Sequence, residues 1–208
     1  MAKIGHAVRG RLCSSGDRTL AQPSKHYRAS GMGLTIRETT ANDLPDLGRL
    51  WNDDRVMQWV GFPDGLGCDE EALRKWFDAL RSNTHVHHFV IRASDLGFCG
   101  ELFYRLDPEH RRAELDIKLV PEAQGRGIAT AGLSRLIELV FEREPSADTV
   151  WTEPTPENRA SRALYARCGL TETNRPTDLR PGRPTGRSDA CHRPSQSNPS
   201  RSDDIAEH

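Results

Sequence analysis

The sequence predicts an α/β (α+β) domain in which helices surround a largely antiparallel sheet, and three observations carry that reading. Apolar stretches at His88–Ile91, Phe98–Leu106 and Ala113–Val120 are separated by the tight-turn signals Ser94-Asp95-Leu96-Gly97 and Asp107-Pro108-Glu109-His110, which makes a meander. Ahead of it, apolar residues recur at helical spacing: Leu44, Leu47, Leu50 and Trp51, then Leu73, Trp76, Phe77 and Leu80. Behind it, the alternating run Leu115–Val120 enters a glycine-rich join, and Leu133, Leu136, Ile137, Val140 and Phe141 then mark one face of a helix.

The chain has 208 residues, enough for one domain with a real core. A formal net charge of -1 gives no argument for nucleic acid or an anionic membrane as partner. No apolar run approaches the roughly 20 residues that span a bilayer, and the N-terminus lacks a secretory apolar stretch. Cys13, Cys68, Cys99, Cys168 and Cys191 are scattered and odd in number, the pattern of reduced thiols in a cytoplasmic protein.

In chain order, residues 1–31 are basic, with little apolar periodicity, and read as a flexible arm; a transit peptide, or a natural start at Met32, are the other readings. The domain that follows runs over residues 32–173. Leu34–Arg37 is a first strand, and Thr40 and Asp43 open a helix as cap and acidic first-turn residue. A short helix over Asp53–Trp59 is broken by Gly61–Gly67, and another spans Asp69–Arg81. His85, His87 and His88 fall where one strand splays neighbours to opposite faces, so they read as a solvated edge and not as a metal site. Thr149–Glu153 is a strand, Thr155 caps the helix ending near Cys168, and Gly169 stops it. Residues 174–208 lose all periodicity. They read as a disordered low-complexity tail, or as a frameshifted or diverged gene end.

The chemistry concentrates at Val120–Thr130. Glycines let successive backbone N–H groups turn inward, a helix N-terminus adds unpaired donors, and Arg126 adds a cation. That combination suits a pyrophosphate. A dinucleotide fingerprint starting at Gly125 fails at Thr130, and the Gly-Lys-Ser/Thr ending of a nucleotide P-loop is missing. The pattern Gln124-x-x-Gly127-x-Ala129, followed by Asn158-x-x-Ser161-x-x-Leu164-Tyr165-x-x-x-Gly169-Leu170, resembles the acyl-coenzyme A signature of the GNAT acetyltransferase superfamily over about Leu34 to Leu170.

The resemblance implies a mixed, mostly antiparallel central sheet flanked by helices, with acetyl-CoA as cosubstrate and no metal. It also implies one or two strands after Gly169, and the tail composition leads us to expect a sheet without them. The coenzyme would lie on main-chain groups of Ile117, Leu119 and Val120 and on the loop Gln124, Gly125, Arg126, Gly127, Ile128, Ala129 and Thr130, with Asn158 touching its pantetheine arm. Tyr165 matches the family's general acid, whose phenol of pKa about 10 is protonated at neutral pH. For a base the residues offer Glu114 and Asp116 on one strand face and Glu101 on the preceding strand, with Glu114 preferred.

The resemblance implies a primary amine, on a small molecule or a peptide, as acceptor, and a homodimer is the expected assembly. The stretch Asn52–Pro63 resembles the ribosomal-protein alanine N-acetyltransferase branch, and Glu153–Ala160 that of the aminoglycoside 6'-N-acetyltransferases. Acids at Asp64, Asp69, Glu70 and Glu71 would favour a cationic acceptor if they line the cleft. A non-catalytic acyl-CoA-binding module, or a decayed remnant, is the competing class.

Overall fold

A computed structural model of the chain describes residues 4–9, 26–29 and 33–178. Its strands are β1 (Ile4–Arg9), β2 (His26–Ala29), β3 (Leu34–Glu38), β4 (Val86–Ala93), β5 (Gly97–Asp107), β6 (Arg112–Leu119), β7 (Thr149–Thr152) and β8 (Thr171–Asn174). They form a single sheet in the order β2-β3-β4-β5-β6-β7-β1-β8. Every neighbouring pair is antiparallel except β6 and β7, so the sheet is mixed and mostly antiparallel. The helices are α1 (Leu44–Trp51), α2 (Asp54–Met57), α3 (Glu70–Ser82), α4 (Ile128–Arg143) and α5 (Arg159–Arg167).

Strand alternation divides the core between the two faces of the sheet. Phe89, Ile91, Leu102, Tyr104 and Leu115 pack with Leu133, Leu136 and Val140 of α4. Val90 points the other way and packs with Leu47, Leu50 and Trp51 of α1 and Trp76 of α3. A large aliphatic side chain buried this completely stabilises the fold by about 1.5–3 kcal/mol. The α1 face also buries charge. Asp43 is fully enclosed, accepting from both Arg37 guanidinium nitrogens at 2.7 Å and from the Thr40 N–H at 2.9 Å.

Three expectations change here. Residues 1–31 contribute two strands, β1 and β2, instead of standing apart as an arm. Pairing with β7, β8 and β3 supplies the partners that their weak apolar pattern did not advertise. The sheet has a strand after Gly169: β8 pairs with β1, whose backbone lies between it and β7. Cys68 is disulfide-bonded, while Cys99 and Cys168 carry free thiols, so the uniformly reduced set is corrected. The rest of the arm and tail readings, at 1–3, 10–25, 30–31 and 179–208, falls outside the described residues. Among those described, no helix is long and apolar enough to cross a membrane.

Candidate active site

The site follows from the one parallel pair. Strands β6 and β7 stay in register for Arg112↔Thr149, Ala113↔Val150 and Glu114↔Trp151. After that β7 ends, while β6 runs on to Leu119. Among the described residues, half of β6 therefore has one edge without a strand partner, and a cleft of about 1060 Å³ opens along it. Leu115–Leu119 form one wall, Thr152–Ser161 with Leu164 and Tyr165 form the other, and Val56, Trp59 and Gly61 overhang them.

Main-chain parity decides what this edge offers. The Val120 N–H donates to the Cys99 carbonyl at 3.0 Å, toward β5. Residues of the opposite parity face the cleft: the Leu119 carbonyl accepts from the Gln124 amide at 3.2 Å, and the Ile117 N–H donates to Asp116 Oδ1 at 2.8 Å. Ile117 and Leu119 thus turn main-chain groups toward the cleft. Val120 does not, because β5 already takes its donor.

At the end of the edge, Gly125 and Gly127 hold φ values of 73° and 77°, in the left-handed region that side-chain-bearing residues rarely adopt. Gly127 is the N-cap of α4, and the helix's first internal bond is Ala131 N–H to the Gly127 carbonyl at 3.1 Å. The N–H groups of Ile128, Ala129 and Thr130 are left for a ligand, as at any helix start. Gln124, Gly125, Gly127, Ala129 and Thr130 line the cleft. The Ile128 side chain is buried in the core, so only its main chain can contribute. Arg126 is outside the lining and reaches Asp95 at 3.4 Å, so the loop's cation is turned out of the cleft. An anionic diphosphate with an extended amide arm fits this arrangement: donors at one end, then a main-chain edge for the arm.

Tyr165 is 3% exposed on the cleft wall, its hydroxyl paired with the Thr152 side chain. Burial, then the charge of Asp116, raises its pKa, so the phenol is protonated at any physiological pH. It is also a weaker acid than a free tyrosine. Asn158, and not Thr155, caps α5. Its Oδ1 accepts from the Ser161 N–H at 3.0 Å, while Thr155 Oγ1 turns to the Trp59 carbonyl. The Asn158 carbonyl is occupied by the helix, so its amide NH₂ is the part that can meet an arm in the cleft.

The carboxylates separate by position. Glu114 is not in the cleft lining; it lies beside Arg105 at 3.6 Å, back where β6 and β7 are still paired. Asp116 is two residues further along the same face and does line it. Glu101 is buried, accepting from Trp51 Nε1 at 2.8 Å and Lys118 Nζ at 3.0 Å and pairing with His88 Nε2 at 3.0 Å. Burial alone would push the Glu101 carboxyl up, but Lys118 and His88 outweigh it and hold it down at about 2. His88 is therefore a buried partner and not an edge residue.

Asp64, Asp69, Glu70 and Glu71 are also absent from the cleft wall. Asp69 caps α3 by accepting from the Ala72 N–H, and Glu70 and Glu71 pair with Arg74 and Lys75. Among the described residues, Asp107, His110 and Asp178 lie at metal-ligand spacing, but the Arg112 guanidinium already sits on both aspartates.

Sequence reasoning did not name Lys118, Thr152, Arg159 or Arg167 as site residues, and gave Ser161 only as part of the motif; all five line the cleft. Position was the signal for Lys118, which shares the Glu114–Asp116 face, and Arg159 stood inside the stretch Glu153–Ala160 already singled out.

A mixed sheet splayed at one parallel pair, with a glycine turn feeding a helix at the end of the gap, defines a coenzyme A-dependent acyltransferase architecture. Residues 33–171 match the acetyltransferase (GNAT) domain model, and the chain belongs to that family. It is an acetyl-CoA-dependent N-acetyltransferase. It is 27% identical over 148 residues to the spermidine N(1)-acetyltransferase of Vibrio cholerae serotype O1, spanning 67% of this chain and 79% of that one. The crystal structure of the Vibrio cholerae spermidine N-acetyltransferase with CoA and spermine superposes with a TM-score of 0.62 at 23% identity, over 68% of this chain and 83% of that one. The ribosomal L7/L12 α-N-protein acetyltransferase RimL in complex with CoA gives 0.60 at 20% identity, over 69% and 82%.

Proposed function

We propose that the enzyme acetylates the primary amine of a small cationic acceptor by direct transfer from acetyl-CoA bound along β6. The observation that carries this is the Asp116 carboxylate at the cleft wall, beside the edge where the thioester would lie, with Glu157 also on the wall. Both would attract an ammonium ion, and Asp116 is placed to assist its deprotonation. The curated relative named for spermidine supports a polyamine-like acceptor first. A peptide amine or an aminoglycoside is second.

In this reading the N–H groups of Gly127 to Thr130 hold the pyrophosphate, and Arg159 and Arg167 add the cations that Arg126 does not. The neutral amine nitrogen attacks the thioester carbonyl carbon, the C–S bond breaks, Tyr165 donates its proton to the departing thiolate, and the proton shed by the new amide nitrogen returns through water to the Tyr165 phenolate. Holding both reactants in one cleft supplies much of the rate. We also infer self-association, which light scattering of the purified chain would test.

Thiol release with spermidine, a lysine-terminated peptide and an aminoglycoside tests the proposal. Turnover with spermidine well above the others is expected. Coenzyme binding without turnover on any amine would make the chain a binding module instead.

A further inference from the structure

The Ile117 N–H faces the cleft and not β5, and it is already engaged: Asp116 Oδ1 accepts it at 2.8 Å. The other Asp116 oxygen accepts from Lys118 Nζ, which is itself held by Glu101 at 3.0 Å. The Lys118 side chain is 5% exposed and that of Glu101 2%, so this anchor is fixed in the core, while the Asp116 side chain, at 14%, is at the cleft surface. Asp116 is thus a short carboxylate with one oxygen tied to a rigid buried cation and one covering a main-chain donor on the ligand-binding edge.

We propose that Asp116 is a displaceable cap on the Ile117 N–H, and that the thioester carbonyl oxygen of acetyl-CoA takes its place. The proposal rests on the acetyl-CoA reading of the cleft. A main-chain N–H has one hydrogen to give, so acyl oxygen and carboxylate compete for it. Rotation about the Asp116 side chain breaks only the bond to Ile117; Lys118 keeps the carboxylate nearby. Acyl binding therefore turns one carboxylate oxygen from the backbone toward the space an amine must enter. Free coenzyme A has no acyl oxygen and leaves the cap closed. Asp116 acts here as a positioning residue, making the amine's environment depend on whether the donor is loaded.

The test is calorimetric binding of acetyl-CoA and of CoA to the full chain and its variants. Wild-type binding of acetyl-CoA comes first; its absence would sink the coenzyme reading itself, separately from the cap. In Asp116→Ala the competitor is gone, and acetyl-CoA should bind about three- to tenfold more tightly, from the usual strength of a hydrogen bond to a charged group offset by partial rehydration. CoA should change less than twofold. Asp116→Asn keeps a weaker, neutral acceptor and should fall between, and thermal melting checks that both variants are folded. In ¹⁵N-labelled protein the Ile117 amide signal should move on adding acetyl-CoA to wild type and already be displaced in the alanine variant. Equal tightening for CoA and acetyl-CoA would point to general charge removal and overturn the cap. Unchanged or weaker acetyl-CoA binding in a folded Asp116→Ala would overturn it as well.

Discussion

At the scale of single residues, the site depends on which atoms are already in use. Tyr165 and Gly127 illustrate the two ways a residue can matter. The Tyr165 ring is buried, so Tyr165→Phe keeps the packing and removes only the hydroxyl. We expect turnover to drop by about 10²–10⁴-fold, the usual contribution of a general acid, with acetyl-CoA affinity nearly intact. A wild-type rate in the variant would reduce Tyr165 to packing. Gly127 holds a φ of 77°, so Gly127→Val combines backbone strain with a side chain at the helix start. Calorimetry should show acetyl-CoA binding weakened by at least tenfold, and unchanged affinity in a folded protein would reject the loop as the diphosphate site.

At the scale of elements, helix α5 carries Asn158 at its cap and Arg159, Ser161, Tyr165 and Arg167 on the cleft wall. Losing a capping side chain costs about 1 kcal/mol. Asn158→Ala should therefore lower the melting temperature slightly and raise the KM for acetyl-CoA. Asn158→Asp keeps the cap but replaces the amide NH₂ with a carboxylate. It should restore the melting temperature and not the KM. Recovery of both would leave Asn158 as a cap only. Helices α1 and α3 of the insert between β3 and β4 were legible as helices, since Leu47, Leu50, Trp51, Leu73 and Trp76 repeat at helical spacing and are all buried. Its acids were misjudged because capping and i,i+4 pairing, which orient Asp69, Glu70 and Glu71 along α3, do not show in a charge count.

At the scale of the whole molecule, the sheet depends on residues far apart in the chain. Strand β1 pairs on both sides, with β7 and with β8, so a chain beginning at Met32 would leave β8 without its described partner. We expect that shortened chain to melt at a clearly lower temperature than the full one, and an identical melting curve would show β1 to be dispensable. Acid should also be selective. The Glu101 carboxyl falls from an ordinary 4.5 to about 2 on folding, so its ionised form is favoured in the native state. That contribution is complete above about 4.5 and is lost as pH falls through about 2. Denaturant midpoints should therefore decline over this window, and Glu101→Gln should flatten the decline.

The sequence by itself determined the elements of the central domain, the glycine loop and the family, because periodicity, turn residues and a short motif are local properties. Leu34 to Leu170 could be read in order for that reason. Only the tertiary structure decided which groups of those elements meet. It placed β1 and β2 in the sheet, since a strand with a weak apolar pattern is specified by its neighbours' open edges. It put Asp116 in the cleft and Glu114 outside it, because the two share a face and differ only in where β7 stops. It turned Arg126 away and buried His88 and Lys118 with Glu101. Charge partners are contacts between distant parts of the chain, and spacing along the sequence carries no record of them.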